Sequence, residues 1–208
     1  MKEEIITKGI EIIIIIDIGD KKMYYDKLPQ YVKIKKEKFI INADYRTFIK
    51  FEEEMQGKDL NGAVMKALFN FYPAFNLILE KGLINEAVEK FIWFYTCGKE
   101  YINKPKKNSK TIKTGQVFSY KHDSALIWSA FWMYGRIDLT KDKLHWWKFK
   151  AIWNSLPSEC EFVKIKGYRA YDGKDKDMLE LKEFYKLPPS EAEIKDQVRR
   201  NKIYEALK

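Results

Sequence analysis

Apolar positions change their period early in the chain. Tyr31-Val32-Lys33-Ile34 and Phe39-Ile40-Ile41 alternate with polar residues and bracket Lys35-Lys36-Glu37-Lys38, which predicts a β-hairpin. From Asn42 the spacing turns helical. Asn42 or Asp44 can cap a first helix through about Met55, with Tyr45, Phe48, Ile49 and Glu52 on one face. Asp59 or Asn61 can start a second, in which Val64, Leu68 and Phe71 recur before Pro73 stops it. A third carries Ile84, Ala87, Val88, Phe91 and Trp93-Phe94-Tyr95, with Gly98 as its C-terminal cap.

Residues 99–121 show little periodicity and mark a long connection or subdomain boundary. Asp123 then predicts the cap of a fourth helix bearing Leu126, Ile127, Ala130, Phe131 and Tyr134, ended by Gly135. Asp138 or Thr140 starts a fifth, with Trp146, Phe149, Trp153 and Leu156 on one stripe and Pro157 at its end. Ser158 with Glu161 reads as a capping box for a sixth helix holding Phe162, Ile165 and Arg169. Ser190 with Glu193 reads as another, opening a charged C-terminal helix. The expected fold is therefore mainly α, about six or seven helices with a small N-terminal hairpin. Residues 28–186 form the expected domain, 187–208 the charged helix, and 1–27 an N-terminal extension. To that extension the pattern assigns only a candidate strand, Glu11 to Ile18.

Composition supports a folded chain. Thirteen Phe, thirteen Tyr and six Trp supply a core without disulfide staples. Cys97 and Cys160 form no CxxC pair, which favours a reducing, cytoplasmic setting. The longest apolar run, Ile12 to Ile16, falls far short of the roughly twenty residues that span a bilayer, and no signal-peptide pattern appears. The net charge of +9 invites a nucleic-acid reading. Its densest stretch, Lys104-Pro105-Lys106-Lys107-Asn108-Ser109-Lys110, carries loop formers and no phosphate-cradling motif, so a solvated loop is the favoured reading.

Candidate chemistry is sparse. Cys97, His122, His145 and Cys160 are of zinc-binding type, yet they lack the close ligand pairs of structural zinc sites. Ser124 lies near His122 outside any nucleophile elbow. His122 reads as a solvated imidazole at a helix start, and His145 as a packed or interface histidine. No catalytic residue, metal site or cofactor is expected.

The aromatic segment carries the most specific information. Phe118-Ser119-Tyr120 through Asp123, Leu126-Ile127, Ala130-Phe131, Tyr134-Gly135, Ile137-Asp138-Leu139 and Leu144-His145-Trp146-Trp147-Lys148-Phe149 together resemble the phage "gene product fifteen" family. These are tail-morphogenesis proteins of long-tailed phages and prophages of Gram-positive bacteria. Ile41-Asn42-Ala43-Asp44-Tyr45-Arg46-Thr47, Phe71-Tyr72-Pro73, Trp93-Phe94-Tyr95-Thr96-Cys97-Gly98 and Gly167-Tyr168-Arg169 match its other motifs, in order. The motif residues are thus Asp44, Arg46, Asp123, Gly135, Asp138, His145, Trp146, Trp147, Lys148, Phe149 and Arg169. One departure stands out: Arg136 interrupts the family's Tyr-Gly-Ile-Asp-Leu.

The resemblance implies a non-enzymatic tail-assembly protein, by analogy a chaperone or scaffold for the tape measure protein, acting in the host cytoplasm. Its implied partners are that long helical protein or other tail proteins. A homo-oligomer is open, no membrane is involved and nucleic acid is disfavoured. Alternative readings are a nucleic-acid-associated basic protein and a minor virion component. Trp128, Trp132, Trp146 and Trp147 are the candidate anchors of a groove for a partner helix. Phe149 and Trp153 are assigned to the core. Neighbours on a helix point about 100° apart. At least one of Trp146 and Trp147 is therefore expected to be partly exposed or covered by a partner.

Overall fold

The computed structural model describes residues 28–57, 59–99, 116–189 and 191–206. These are mainly helical, with one small antiparallel hairpin, as the periodicity predicts. In chain order, β1 (Tyr31–Ile34) and β2 (Glu37–Ile40) precede α1 (Tyr45–Glu54), α2 (Leu60–Phe71), α3 (Phe75–Glu80) and α4 (Ile84–Tyr95). Then come α5 (Ser124–Ala130), α6 (Trp146–Ser155), α7 (Glu161–Ala170), α8 (Lys176–Phe184) and α9 (Glu191–Ala206). A π-helical turn, Phe131–Gly135, continues α5. The chain separates into two compact units, Met1–Ser109 with Ile137–Ser155, and Lys110–Arg136 with Leu156–Lys208. The candidate strand in 1–27, the basic run 104–110 and the cap at Ser190 lie outside the described residues.

In the first unit the hairpin pairs Tyr31 with Ile40 and Ile34 with Glu37, so Lys35 and Lys36 alone make the turn. Lys35 takes the left-handed backbone that a tight hairpin turn needs. Val32, Ile34 and Phe39 point inward. Asp44 caps α1 by accepting from the Arg46 N–H at 2.9 Å, and Asp59 caps α2 through the Gly62 N–H at 2.8 Å. Pro73 ends α2 after Phe71, but helix resumes at once as α3, which is too short to show a period in sequence.

The core of this unit is a nest of rings around fully buried Phe48. Its ring centroid lies 4.8 Å from that of Trp146, 5.5 Å from Phe94, 5.7 Å from Phe71 and 5.8 Å from Phe91. Offset and edge-on ring packing of this kind adds to plain area burial. The helix expected to start at Asp138 or Thr140 begins only at Trp146. Asp138 instead closes a turn: its carboxylate accepts from the Thr140 N–H at 3.0 Å and hydroxyl at 2.6 Å. The chain then runs extended to bond with the start of α1, Tyr45 N–H to the Leu144 carbonyl and Trp146 N–H to the Ala43 carbonyl. Those ladder bonds exclude helix there.

In the second unit Asp123 stands at the start of α5 but does not cap it with its side chain. Its carboxylate accepts from the Ser119 N–H at 2.8 Å and from two nitrogens of Arg169 at 2.7 and 2.9 Å. Arg169 also donates to the carbonyls of Tyr185 and Val117, which ties α7 to the chain before α5 and after α8. The Ser158–Glu161 box does not form either. Ser158 bonds Glu159, and α7 starts after Cys160 without a side-chain cap. Asp175 caps α8, a polar helix with no fully buried residue and hence no apolar stripe to reveal it.

The Asp123–Arg169 pair is 3% and 9% exposed at its side chains. Asp123→Ala leaves a buried guanidinium without its counter-charge and should cost about 3–5 kcal/mol. The expected outcome is a markedly lower urea midpoint, and an unchanged midpoint would show the pair to be dispensable.

Candidate functional site

Trp146 and Trp147 follow each other at the first turn of α6, and the structure buries both, to 0% and 9% exposure. Neither is a surface anchor, which corrects the expectation that one of them faces a partner. The reason is hydrogen bonding. The Trp146 indole N–H donates to the Tyr95 carbonyl at 2.8 Å, and that of Trp147 to the Phe94 carbonyl at 2.8 Å. Both carbonyls sit in the last turn of α4, where helix carbonyls lack intrahelical partners. Phe149 is fully buried and stacks on Tyr45 at 4.9 Å, while Trp153 is half-buried and stacks on Phe149 at 5.6 Å. Lys148 points to solvent.

The end of α4 is shaped to receive these indoles. Cys97 N–H bonds the Phe94 carbonyl and Gly98 N–H the Trp93 carbonyl, the paired bonds of a Schellman turn. Cys97, not Gly98, holds the first left-handed position at φ 58°, with Gly98 following at 71°. Gly98 is needed for space as well: a Cβ there would lie 3.1 Å from the Trp147 ring.

The remaining motif residues of this unit form a clasp between chain segments far apart in sequence. Arg46 bonds the Asp44 carboxylate at 3.0 Å and reaches the carbonyls of Leu139 at 2.8 Å and Asp142 at 3.1 Å. The Tyr45 hydroxyl donates to the same Leu139 carbonyl at 2.9 Å. His145 caps α6: its Nδ1 accepts from the Trp147 N–H at 3.1 Å, and its carbonyl from the Phe149 N–H. Nδ1 as acceptor assigns the proton to Nε2, which donates to the Pro29 carbonyl at 3.0 Å. Burial holds the His145 pKa below its usual value, with nearby Lys148 adding to the effect against the Pro29 hydrogen bond.

Tyr31 and Phe69 are exposed in the first unit, and the second carries an exposed aromatic cluster on one helix. Trp128 and Trp132, one turn apart on α5 and its π extension, stack with centroids 5.9 Å apart and planes within 7°. Trp132 is 50% exposed, Met133 62% and Tyr134 42%, with Trp128 at 37%. Three consecutive large side chains open to solvent are uncommon on a helix that also buries Ile127, Ala130 and Phe131. Trp132 and Met133 lie off the buried face in either register, and the π turn brings Tyr134 out with them. Arg136 N–H bonds the Phe131 carbonyl five residues back, and Arg136 itself takes the left-handed φ of 53° expected of Gly135. The turn holds one residue more than an α register would. Sequence reasoning named Trp128 and Trp132 but missed Met133, and it set Tyr134 on the apolar stripe of the helix, whereas the structure exposes it. Its only available signal was the extra residue, Arg136.

No three potential metal ligands converge among the described residues. His122 is exposed, with its backbone N–H on the Ser119 hydroxyl. Among the described residues no helix is long and apolar enough to cross a membrane.

Fold and geometry together define a small helical protein organised round interlocking aromatic rings, with motif residues that hold those rings in place. The chain belongs to the bacteriophage Gp15 protein family, whose model matches residues 24–188. It is accordingly a phage structural or morphogenesis protein that works with other phage proteins. No curated protein and no solved structure matches it.

Two predictions follow from the clasp. Trp146→Ala opens a cavity beside Phe48 and removes the indole hydrogen bond to the Tyr95 carbonyl, an expected loss of about 3–5 kcal/mol by urea denaturation. For His145, a lowered folded pKa means that protonation favours the unfolded chain. Its contribution is fully present above the unfolded value near 6.5 and is lost as pH falls through that value toward the folded one. Melting temperature should therefore drop more between pH 8 and pH 5 in the wild type than in His145→Asn, which keeps a capping acceptor that does not titrate. Parallel curves would assign the acid sensitivity elsewhere.

Proposed function

We propose that this protein is a non-enzymatic tail-assembly chaperone or scaffold that binds the tape measure protein in the host cytoplasm during tail morphogenesis. The observation that carries the reading is the open face of Trp132, Met133 and Tyr134 beside Trp128. A tape measure protein is long and helical, and before the tail tube encloses it, it presents apolar helix faces to water. A surface of two stacked indoles along one helix suits such a face laid alongside it. Tryptophan and tyrosine provide large area with a polar tip, and methionine adapts to irregular partners. The groove is thus reassigned to α5 and its π turn, with Trp146 and Trp147 supporting the fold instead. The surface offers contact area and no reacting group, in keeping with a binding role.

Co-expression with the tape measure protein tests this directly. The wild type should raise its solubility and co-purify with it. Trp132→Ala should weaken that association by about tenfold or more, roughly 1.4 kcal/mol, while leaving the urea midpoint unchanged. Recovery of no complex at moderate salt would overturn the reading. Tight binding to single-stranded DNA that falls steeply with salt would replace it with a nucleic-acid role. Stoichiometric presence in purified virions would instead make the protein a tail component.

A further inference from the structure

A cleft of about 240 Å³ opens in the first unit between the end of α4 and the exposed side of α6. Thr96, Cys97 and Lys99 line one wall, and Trp147, Lys150 and Asn154 the other. No acidic residue is among the described residues that line it. Neither Lys99 nor Lys150 joins a salt bridge among the described residues. Lys150 rests its ammonium 5.1 Å from the centre of the Trp146 ring, and Lys99 reaches solvent. Both ammonium groups are close enough to the Cys97 thiol to oppose the upward pull that burial exerts on its pKa. Two cations, an amide and a concave wall thus meet where no described residue provides a counter-charge.

We propose that this cleft binds carboxylate side chains of an acidic segment on a partner protein. The walls decide between carboxylate and phosphate. Phosphate sites gather backbone N–H groups at a helix N-terminus or the forked guanidinium of arginine. This cleft lies at a helix C-terminus, whose partial negative charge opposes a phosphate dianion more strongly than a singly charged carboxylate, and its cations are lysine point charges. Its rings are engaged already: Tyr95 stacks on Trp146 at 5.7 Å, and Trp147 packs on Trp93 at 5.6 Å and is only 9% exposed. A nucleic-acid base would find no free ring face there. The cleft belongs to the first unit and the tryptophan face to the second, so the two sites stand or fall separately.

Cys97 supplies the probe, because the other thiol, Cys160, is buried. The full-length protein is alkylated with iodoacetamide at low salt, and modification of each cysteine is followed by peptide mass spectrometry. Saturating deca-glutamate should slow alkylation of Cys97 by about fivefold or more, and 0.5 M salt should remove the protection. The folded double variant Lys99→Gln/Lys150→Gln should show none. The proposal is overturned if the peptide leaves the Cys97 rate unchanged, or if it protects the double variant equally. It is also overturned if oligothymidine protects and deca-glutamate does not. Because the readout sits on Cys97, loss of tape measure binding in Trp132→Ala leaves its outcome untouched.

Discussion

The fold depends on an exchange between two kinds of unsatisfied polar group. A helix ends with carbonyls that have no partner within it, and a buried indole carries an N–H that is costly to leave unpaired. At the contact of α4 and α6 the two meet, the Phe94 carbonyl taking the Trp147 indole beside its Schellman bond from Cys97. Successive carbonyls, Phe94 and Tyr95, diverge around the helix axis by about the same 100° as successive side chains. Two adjacent tryptophans can therefore both be buried against one helix end. The rings delivered by these bonds then pack on Phe48 and Phe94, so the hydrogen bonds and the aromatic core position one another.

The charged motif residues serve the same end. Asp44 and Arg46 hold the 139–142 turn on the start of α1, and His145 links Pro29 to the first turn of α6. In the second unit Asp123 and Arg169 do for α5, α7 and α8 what the clasp does in the first. Among the described residues no buried side-chain nitrogen or oxygen lacks a partner. These side chains are occupied in holding the fold together. The surfaces proposed for partners lie elsewhere among the described residues: a π turn bearing large apolar side chains and a cleft edged by lysines.

The π turn links a local sequence feature to a surface. One residue beyond the α register changes the direction of every side chain after it. Phe131 remains in the core, Tyr134 joins Trp132 and Met133 in solvent, and the left-handed backbone falls on Arg136, one residue after Gly135. A strictly α-helical reading of the same residues places Tyr134 on the buried stripe with Ile127, Ala130 and Phe131.

Local order fixed much of the architecture. Alternation at 31–40, the caps Asp44 and Asp59, the stop at Pro73 and the helical stripes of α4 and α7 were legible because they depend on neighbours within a turn or two. Short or polar elements such as α3 and α8 were not, since they bury too little to imprint a period. Asp138 and Asp123 had the local signature of caps. A distant turn and a distant arginine decided their use instead. The sequence by itself thus determined the mainly α class, the hairpin and the family. Only the tertiary structure decided which tryptophans are inside. Burial of an indole depends on whether an acceptor waits for its N–H, and the carbonyls of Phe94 and Tyr95 lie some fifty residues away from the tryptophans they receive.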